Sequence, residues 1–416
     1  MSVIVLGAGM VGIGSALALQ ARGHEVTVID RRLPGSETSH GNAGIIQGEA
    51  VEPYAMPRGL AGLTGILLKR GNDIDWNIPG VLRNAPALAG YWLASAPARH
   101  REISRVYARL IRRATADHAP LIEAAGAGDL VRREGFRNVH RDAAGFEAEA
   151  RDAERLARNA GLSVEIEDGA ALATAVPALR RPMAGAVVWK DAWPCRDPGG
   201  LVRAYADLFT ARGGRILTGD ALSLAQTRPG WRVASDDGAV EAAQVVVALG
   251  PWSPALLARF GYRIRMVPKR GYHAHLTAAG GRNALPLDRP LMDVANGAVF
   301  SPMRGGLRIL TGADLSSGRR DPATAPQLDR AVAAARDLLE LGPEAPGGRW
   351  TGVRPCMPDM LPLTGPAPRH TGLWFNFGHG HQGFTLGPTS GALLAARMAG
   401  ETDPALAALD PTRLRL

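Results

Sequence analysis

The sequence predicts an α/β protein with more than one domain, and three observations support this prediction. The chain opens with a run of apolar, β-prone residues, followed by a group of glycines, a helical segment and a second β-prone run. This strand–helix–strand order is typical of a parallel sheet. A length of 416 residues exceeds what one hydrophobic core usually holds. With 46% hydrophobic and 21% charged residues, the composition is that of a globular chain.

The opening unit carries a glycine pattern that suits a phosphate-bearing ligand. Residues 3–6 predict a buried strand and residues 11–22 predict a helix. The turn between them contains Gly7, Gly9 and Gly12. These glycines permit a tight turn, a close approach of the backbone to a pyrophosphate, and close packing of the helix on the sheet. Asp30 ends the second strand, 18 residues after Gly12. This is the spacing at which a carboxylate is expected to bind a ribose hydroxyl. We therefore predict a dinucleotide site, with a purely structural glycine turn as the alternative; the charge of Asp30 disfavours NADP.

The composition excludes several classes of protein. The two cysteines, Cys195 and Cys356, cannot form a disulfide framework and match no metal-ligand spacing, so we expect a reducing compartment and no metal site. The first strand begins at residue 3, which leaves no room for a signal peptide. No apolar run reaches the roughly 18 residues that span a bilayer. These features predict a cytoplasmic protein.

The chain is strongly basic, with a formal charge of +9 and a pI near 10.2. This charge is compatible with an anionic membrane surface, with steering of an acidic substrate, or with an arginine-rich composition that has no partner. The arginines are scattered and no stacking-aromatic motif accompanies them, so we expect no nucleic acid. The apolar segment Leu60–Leu68, followed by Lys69-Arg70, is too short to span a bilayer. We favour a core helix or an active-site lid here over a segment lying in a membrane interface.

The rest of the chain alternates between helical and β-prone stretches, and residues 275–345 resemble a mainly β second domain. Helices are expected over residues 102–126, 145–159, 198–208, 326–341 and 389–398. Strands are expected over residues 161–167, 215–218, 231–234, 245–249, 273–276, 299–301, 307–311 and 373–377. Asp197 is the expected N-cap of the helix that Pro198 opens.

Two further loops are candidates for contacts to the same ligand. Residues 31–44 form a polar loop rich in small residues, in which Ser39 and Asn42 are candidate phosphate or ring contacts; a solvent loop is the alternative. Residues 378–385 form a glycine-rich loop between a strand and the last helix. Its backbone N–H groups and the helix N-terminus suit a negative or electron-rich part of the ligand.

Several short motifs occur in a single order along the chain. They are Val5-Leu6-Gly7-Ala8-Gly9, Val28-Ile29-Asp30-Arg31, Glu37-Thr38-Ser39, Asn42-Ala43-Gly44, Ala248-Leu249-Gly250-Pro251-Trp252-Ser253, Trp350-Thr351-Gly352-Val353-Arg354-Pro355 and Gly378-His379-Gly380. Together they resemble the D-amino-acid oxidase-like FAD-dependent oxidoreductases, most closely the bacterial D-amino-acid dehydrogenases, over nearly the whole chain.

This resemblance implies an α/β fold (α+β overall) in which a Rossmann-like FAD-binding domain carries an inserted mixed-sheet substrate domain. The FAD-binding domain would comprise residues 1–55, 140–268 and 345–416, and the substrate domain residues 56–139 and 269–344. The cofactor implied is FAD and not free NAD. The implied FAD contacts are Gly7, Gly9, Gly12, Asp30, Arg31, Ser39, Asn42, Ala43, Gly44, Gly250, Gly378, His379, Gly380, Gln382, Gly383, Phe384 and Thr385.

The resemblance also gives three candidate catalytic residues. Arg354 stands where such enzymes place the cation for the substrate carboxylate, and a guanidinium is a planar, bidentate clamp; a surface arginine in a salt bridge is the alternative. Tyr272 stands where relatives have an aromatic hydroxyl, with ordinary packing as the alternative. His381 is a pocket-lining candidate, because the implied hydride transfer needs no protein base. Close dehydrogenases often have a small hydroxyl residue there, which points to a polar or cyclic substrate.

The implied reaction is oxidative deamination of a D-amino acid: a hydride passes from Cα to the flavin, and water hydrolyses the imine to a 2-oxo acid and ammonia. The alternatives are a cyclic or secondary amino acid or a small one (D-proline, cis-4-hydroxy-D-proline, sarcosine, glycine), and a non-catalytic flavin-carrying subunit of an electron-transfer complex. An NAD-dependent dehydrogenase is a further alternative, and it would be distinguished from a flavoprotein by being colourless. Dioxygen, a quinone and a partner protein are all candidate electron acceptors. A peripheral contact with the inner face of the cell membrane is compatible with the charge, and the sequence gives no oligomeric state.

Overall fold

The computed structural model of the protein describes residues 1–69, 71–279, 286–317 and 321–414. The strands are β1 (Ser2–Leu6), β2 (Glu25–Asp30), β3 (Ile45–Gln47), β4 (Ile74–Asp75), β5 (Phe136–His140), β6 (Val164–Asp168), β7 (Gly185–Trp189), β8 (Ala192–Pro194), β9 (Arg215–Gln226), β10 (Trp231–Ser235), β11 (Gly238–Ala242), β12 (Gln244–Val247), β13 (Val267–Ala278), β14 (Leu291–Asp293), β15 (Ala298–Met303), β16 (Gly306–Leu310), β17 (Ala313–Asp314), β18 (Leu341–Glu344), β19 (Trp350–Cys356), β20 (Leu363–Pro366) and β21 (Leu373–Phe377). The helices are α1 (Met10–Gln20), α2 (Leu60–Leu67), α3 (Ile78–Ala94), α4 (Pro97–Ala124), α5 (Ala143–Ala160), α6 (Gly169–Ala175), α7 (Pro198–Ala211), α8 (Ser253–Ala258), α9 (Pro326–Leu338), α10 (Gly383–Met398) and α11 (Pro404–Leu409).

The first sheet has eight strands in the order β11-β10-β9-β2-β1-β12-β21-β20. Its centre is parallel: β1 lies between β2 and β12, with Leu6 opposite Ile29 on one side and Val247 on the other. Strands β9 and β21 extend the parallel part outward. Parallel strands covered on both faces are expected to be continuously apolar, as Val3–Leu6 is. The predicted α/β class is therefore confirmed.

The second sheet is mixed and has eleven strands. The order is β4-β17-β13-β16-β15-β14-β5-β7-β6, and β18 and β19 also pair with β13. The twelve-residue β13 is longer than the strand expected over 273–276, and it pairs with β19 over seven residues, from Val267 opposite Cys356 to His273 opposite Trp350. This pairing places Lys269 directly opposite Arg354. Residues on β13 alternate between the two faces of the sheet, so Tyr272 faces away from Lys269 and Gly271.

Strand pairing divides residues 140–268 between the two sheets. Strands β6 and β7 pair with each other and with β5, at the edge of the second sheet, whereas β9–β12 belong to the first sheet. Local residue pattern predicts that a segment is a strand, but it carries no information about which distant strand it joins. The boundaries of a cofactor domain and a substrate domain stay a prediction.

Helices α1 and α10 cross at a contact made by glycines. A Cβ atom on Gly14 would lie 2.8 Å from the carbonyl carbon of Gly387, and one on Gly391 would lie 2.6 Å from the carbonyl oxygen of Gly14. Real Cβ atoms do not approach backbone so closely, so this crossing requires residues without side chains. Because α1 follows the N-terminal glycine turn and α10 follows the C-terminal glycine loop, the crossing fixes the two loops relative to each other.

Helix α10 begins at Gly383, six residues before the expected start at residue 389. The predicted start lay too far along the chain because Pro388 has no N–H to donate to the carbonyl of Phe384. A missing hydrogen bond of this kind normally interrupts a helix. In the structure the buried His118 of α4 supplies the missing donor: its Nε2–H donates to the carbonyls of Phe384, at 3.2 Å, and Thr385, at 3.1 Å. The Nδ1 atom of His118 accepts from the hydroxyl of Tyr205 at 2.9 Å.

These contacts of His118 predict a pH-dependent stability. Burial lowers the pKa of His118 to about 4. Between pH 6.5 and 4 the unfolded chain binds a proton at this imidazole that the folded chain does not bind, so the free energy of unfolding falls as the pH falls through this window. The contribution is about 3 kcal/mol. Urea unfolding at pH 7.5, 5.5 and 4.5 measures the free energy of unfolding. As the pH falls, this free energy should decrease less for His118→Gln than for the unchanged chain. Equal decreases would show that His118 does not cause the pH dependence.

The apolar segment after residue 59 forms the short helix α2, but its leucines are largely exposed, with Leu60 at 83% and Leu67 at 66%, so it is not the core helix considered as one alternative; the lid stays a prediction. Arg70 lies outside the described residues. Within the described ranges, no helix combines the length and the apolar character needed to cross a bilayer. Within the same ranges, no cluster of three or more His, Cys, Asp and Glu side chains could hold a metal ion.

Candidate active site

A single cavity of about 1010 Å³ extends from the N-terminal glycine turn to the C-terminal glycine loop. Both loops and Arg354 therefore face the same space. The predicted site residues that line it are Gly7, Gly9, Asp30, Arg31, Ser39, Asn42, Ala43, Gly250, Tyr272, Arg354, His379, Gly380, His381, Gly383 and Phe384. Those that do not line it are Gly12, Gly44, Gly378, Gln382 and Thr385.

The N-terminal turn has the shape that a pyrophosphate needs. A Cβ atom on Gly12 would lie 1.8 Å from the carbonyl oxygen of Gly7, so the third glycine lets α1 approach β1. The second, Gly9, is open to the cavity: among the described residues, a Cβ added there would come within 4 Å of the hydroxyl of Ser39 alone, at 3.5 Å. That hydroxyl accepts from the backbone N–H of Met10 at 3.1 Å and so occupies one donor at the start of α1. The remaining geometry fits a dinucleotide phosphate at the positive end of this helix.

Asp30 stands at the end of β2 and lines the cavity, as the spacing predicted. Its carboxylate accepts from the backbone N–H groups of Ala8, at 2.7 Å, and Arg32, at 3.0 Å. These bonds orient both carboxylate oxygens and leave their other lone pairs for a ribose hydroxyl. The guanidinium of Arg31 stacks over the ring of Trp252, 4.9 Å from its centroid, at the rim of the same cavity.

Arg308, which the sequence did not single out, holds the loop after Asp30 in place. It is 3% exposed, and its Nη1 donates to the carbonyls of His40, at 2.7 Å, and Asn42, at 2.6 Å, while its Nε donates to Nε2 of His275 at 2.7 Å. Burial lowers the pKa of Arg308 to about 10, so the guanidinium stays charged at neutral pH. Because Arg308 lies on β16, it ties the candidate cofactor loop to the second sheet.

We expect Arg308→Met to weaken FAD binding by about 10- to 100-fold, because the loop at 40–42 loses its charged donor and two carbonyls lose their partner. The dissociation constant measured by flavin fluorescence checks this expectation. Arg304→Met is the matched control, since Arg304 lies on the same hairpin with an exposed side chain. Equal affinities in the two variants would contradict the role of Arg308.

The C-terminal loop is ordered by buried polar side chains. Nε2 of His379 lies 2.9 Å from the hydroxyl of Ser390, and burial lowers the pKa of His379 to about 3. The imidazole is therefore neutral and structural. Gly380 has a φ of +58°, which favours glycine, and its backbone faces the cavity. Gln382 and Thr385 lie behind the loop and bond to Gln47 of β3. Gln47 itself lines the cavity, although the sequence did not single it out.

Arg354 projects from β19 into the cavity, and backbone carbonyls hold it there. Its Nη1 donates to the carbonyl of Gly312 at 2.8 Å and its Nη2 to that of Thr311 at 3.1 Å. Of the described residues, no carboxylate lies within salt-bridge distance of it, so the surface ion pair considered as the alternative is not formed. Burial lowers the pKa of Arg354. A half-buried guanidinium with neutral partners that faces a cavity is suited to an incoming carboxylate.

Lys269, Tyr54 and Tyr91, which the sequence did not predict, lie with His381 around Arg354. Lys269 is opposite Arg354 in the β13–β19 pair, and its Nζ lies 4.2 Å from the ring centroid of Tyr91. The ring of Tyr54 packs edge-on against His381 at 5.5 Å between centroids. All four of these side chains line the cavity. The period of two residues along a β-strand could have identified Lys269 as a cavity-facing residue. Lys269 and Gly271 lie on the same face of β13, and the guanidinium of Arg354 lies over Gly271 on that face.

Burial and the charges of Arg354 and Lys269 hold the pKa of His381 well below its usual range. The imidazole is therefore neutral at physiological pH, and a group with so low a pKa is a poor general base. This placement agrees with the pocket-lining role considered for His381, which stays a prediction.

Tyr272 lies on the other face of β13 and is 2% exposed. Its hydroxyl donates to Asp314 at 2.6 Å, and burial together with Asp314 raises its pKa to about 12. That bond suits the packing alternative, but Tyr272 also lines the cavity, so its contact with substrate stays a prediction.

A parallel sheet that ends in a phosphate-binding glycine turn, with a cavity reaching a second glycine loop, defines a dinucleotide-dependent enzyme. The chain belongs to the DAO family of FAD dependent oxidoreductases, whose pattern matches residues 2–397. It is 32% identical to a D-amino acid dehydrogenase of Sinorhizobium medicae over 95% of each chain. It is 28% identical to a D-amino-acid oxidase of Bradyrhizobium diazoefficiens, over 99% of this chain and 98% of the other. The fold is similar to that of glycine oxidase from Geobacillus kaustophilus, with a TM-score of 0.73, 21% identity, and 99% and 98% of the two chains covered.

Membership of this family confirms FAD as the cofactor and an oxidoreductase acting on amino-acid C–N bonds as the class of enzyme. The residues present fit that cofactor: the glycine turn leaves room for a pyrophosphate, the oriented carboxylate of Asp30 lines the cavity and could accept from a ribose hydroxyl, and the cavity continues to the C-terminal loop. The individual FAD contacts stay predictions.

Proposed function

We propose that the protein oxidises the Cα–N bond of D-amino acids, releasing a 2-oxo acid and ammonia. The observation that carries this proposal is Arg354, a half-buried guanidinium without a carboxylate partner among the described residues, in the cavity that both glycine loops line. The names of the two curated relatives support a D-amino acid as substrate.

The residues divide the work of such a reaction. Arg354 would bind the substrate carboxylate through two parallel hydrogen bonds and so fix Cα in one place. Lys269 would add a second positive charge on the same side. The apolar side chains of α2, such as Leu60 and Leu63, would exclude water from the imine until it leaves. FAD, when bound, supplies the acceptor for the hydride that leaves Cα. The low pKa of His381 argues for substrate entering with a neutral amine and against a protein base.

Anaerobic mixing of the holoenzyme with a panel of enantiomers tests the proposal. We expect D-amino acids to bleach the visible absorption of the bound flavin and their L enantiomers to leave it unchanged. Bleaching confined to sarcosine, glycine, D-proline or cis-4-hydroxy-D-proline would favour the secondary or small amine alternative. A spectrum unchanged by every compound would favour a flavin-carrying subunit without activity of its own.

We further propose that α2 and α3 contact the surface of an anionic bilayer. Of the described residues, nine of fourteen exposed large apolar side chains lie between residues 54 and 93. Several lie outside the cavity lining, among them Leu82, which is 69% exposed, and Leu93. Arg58 and the exposed Arg83 flank them, and apolar side chains edged by cations suit an anionic interface. A bilayer contact would favour a quinone as the electron acceptor.

Sedimentation with vesicles tests this contact. We expect the protein to bind vesicles that contain phosphatidylglycerol more strongly than vesicles of phosphatidylcholine alone, and the double variant Leu82→Ser/Leu93→Ser to bind several-fold more weakly. Ile166→Ser is the matched control, since Ile166 is an exposed aliphatic residue on β6 that does not line the cavity. The proposed bilayer contact would be contradicted if the double variant and the control lost vesicle binding equally. It would also be contradicted if the unchanged protein did not bind vesicles at all.

A further inference from the structure

Gln47 is the cavity-facing member of a chain of three polar side chains. It ends β3 and lines the cavity, while Glu49 and Gln382, on either side of it, are buried. Nε2 of Gln382 donates to Oε1 of Gln47 at 2.7 Å, and Nε2 of Gln47 donates to Oε1 of Glu49 at 2.9 Å. The backbone N–H of Gln47 donates to the hydroxyl of Thr385 at 3.1 Å. Gln47 is thereby joined to the first turn of α10.

The carboxylate of Glu49 gives this chain a direction. Burial raises the pKa of Glu49 to about 7, and above that pH its ionised carboxylate only accepts hydrogen bonds, so it faces the NH₂ end of the Gln47 amide. The oxygen end of that amide then faces Gln382, which must in turn present its own NH₂ group. A reversed arrangement would place the oxygen of Gln47 against the carboxylate. Glu49 thus decides the orientation of an amide that could otherwise turn over.

One hydrogen of Gln47 remains after these bonds are counted. Its Nε2 carries two hydrogens, and one is used by Glu49. Among the described residues no acceptor takes the second one. Two buried oxygens also lack a partner there, Oε2 of Glu49 and Oε1 of Gln382. Natural proteins seldom leave a polar chain half-satisfied, and such chains cluster where a ligand completes them.

We propose that Gln47 is a further cofactor-facing residue, held by Glu49 and Gln382 so that its free N–H donates to the ring of bound FAD. Its position beside the C-terminal glycine loop places that donor at the ring end of the cavity, away from the glycine turn that receives the phosphates. A fixed donor stabilises negative charge that develops on a ligand without reorganising. Glu49 and Gln382 act through Gln47 and are positioning residues. The inference rests on FAD as the cofactor and is independent of which amino acid is the substrate.

The surroundings of Glu49 agree with the proposal that its carboxyl orients the amide of Gln47. Burial raises the pKa of this carboxyl to about 7, with nearby Asp191 adding to the rise. A carboxyl buried only for packing would be replaced at lower cost by a neutral side chain.

Sulfite affinity of the oxidised holoenzyme tests the proposal without any substrate. Sulfite adds to the flavin and leaves negative charge on its ring, so a donor lost from the ring weakens sulfite binding. We expect Gln47→Leu to raise the sulfite dissociation constant by about tenfold or more, the effect of one hydrogen bond to a charged group. Glu49→Gln, which keeps the shape but can also donate, should raise it about threefold, because the amide of Gln47 is no longer forced into one orientation.

Gln244→Leu is the matched control, since Gln244 is a half-buried glutamine on β12 that accepts from Trp374 and does not line the cavity. All variants are compared at full flavin occupancy, so a variant that loses FAD is reconstituted before titration. A sulfite constant for Gln47→Leu equal to that of Gln244→Leu would overturn the proposal. A constant for Glu49→Gln equal to that of the unchanged protein would overturn the positioning role of Glu49.

Discussion

Replacing Arg354 with methionine should lower kcat/KM for the amino acid substrate by about 10²- to 10⁴-fold while FAD stays bound. The expected loss corresponds to about 3–5 kcal/mol, the usual cost of removing one partner from a buried, charge-assisted pair. Methionine fills a similar volume, so the apolar surroundings tolerate it. The change deprives the carbonyls of Thr311 and Gly312 of their donors, and we expect a modest fall in stability alongside the kinetic effect.

Steady-state kinetics with an artificial dye acceptor, together with the visible spectrum of the purified variant, measures this expectation. Arg354→Lys separates charge from geometry, because an ammonium keeps the charge but cannot form two parallel bonds; its kcat/KM should lie between those of the other two proteins. Discrimination between the amino acid and the amine that lacks its carboxylate should nearly vanish in Arg354→Met. Unchanged discrimination would show that Arg354 does not bind the carboxylate.

Replacing Gly12 with alanine should abolish stable FAD binding. The added Cβ would lie 1.8 Å from the carbonyl oxygen of Gly7 and 2.8 Å from its carbonyl carbon. Both atoms are backbone, so no side-chain rotation relieves the overlap, and α1 must move away from β1. Forced overpacking of this kind costs about 1–3 kcal/mol or more. The same movement displaces the helix N-terminus from the position where it would meet the pyrophosphate.

The flavin content of purified Gly12→Ala and its thermal midpoint measure the effect, and we expect a colourless, destabilised protein. Gly128→Ala is the control, because nothing among the described residues lies within 4 Å of a Cβ at that position. A yellow Gly12→Ala variant with the stability of the control would contradict the close helix–strand contact.

The N-terminal half of the cofactor site could be predicted because its determinants are local. The alternation of apolar runs with Gly7, Gly9 and Gly12 encodes a strand, a turn and a helix within a short stretch, and Asp30 follows at a fixed spacing. The convergence of the two glycine loops, with Arg354 facing the same cavity, was also predicted, and the structure confirms it. That expectation came from the order of motifs along the chain.

The parts that could not be predicted depend on contacts between distant residues. The early start of α10 depends on His118, 266 residues from Phe384, which donates to the Phe384 carbonyl that Pro388 leaves free. The loop after Asp30 depends on Arg308, whose acceptors are backbone carbonyls that carry no sequence signal. In the C-terminal loop, Gln382 looked like a cofactor contact, yet its side chain turns inward and Gln47 faces the cavity in its place. Residue type indicated a polar side chain there but not which of two glutamines lines the cavity.

The crossing of α1 and α10 has a consequence for how the enzyme matures. The two glycine loops are brought together by helices that lie near opposite ends of the polypeptide, and the contact between Gly14 and Gly387 tolerates almost no displacement. During synthesis, α1 leaves the ribosome long before α10, so the contact between the two helices cannot form until α10 has been made. We therefore expect nascent chains to capture the flavin only after translation has passed α10, so that ribosome-bound chains stalled before that helix remain uncoloured.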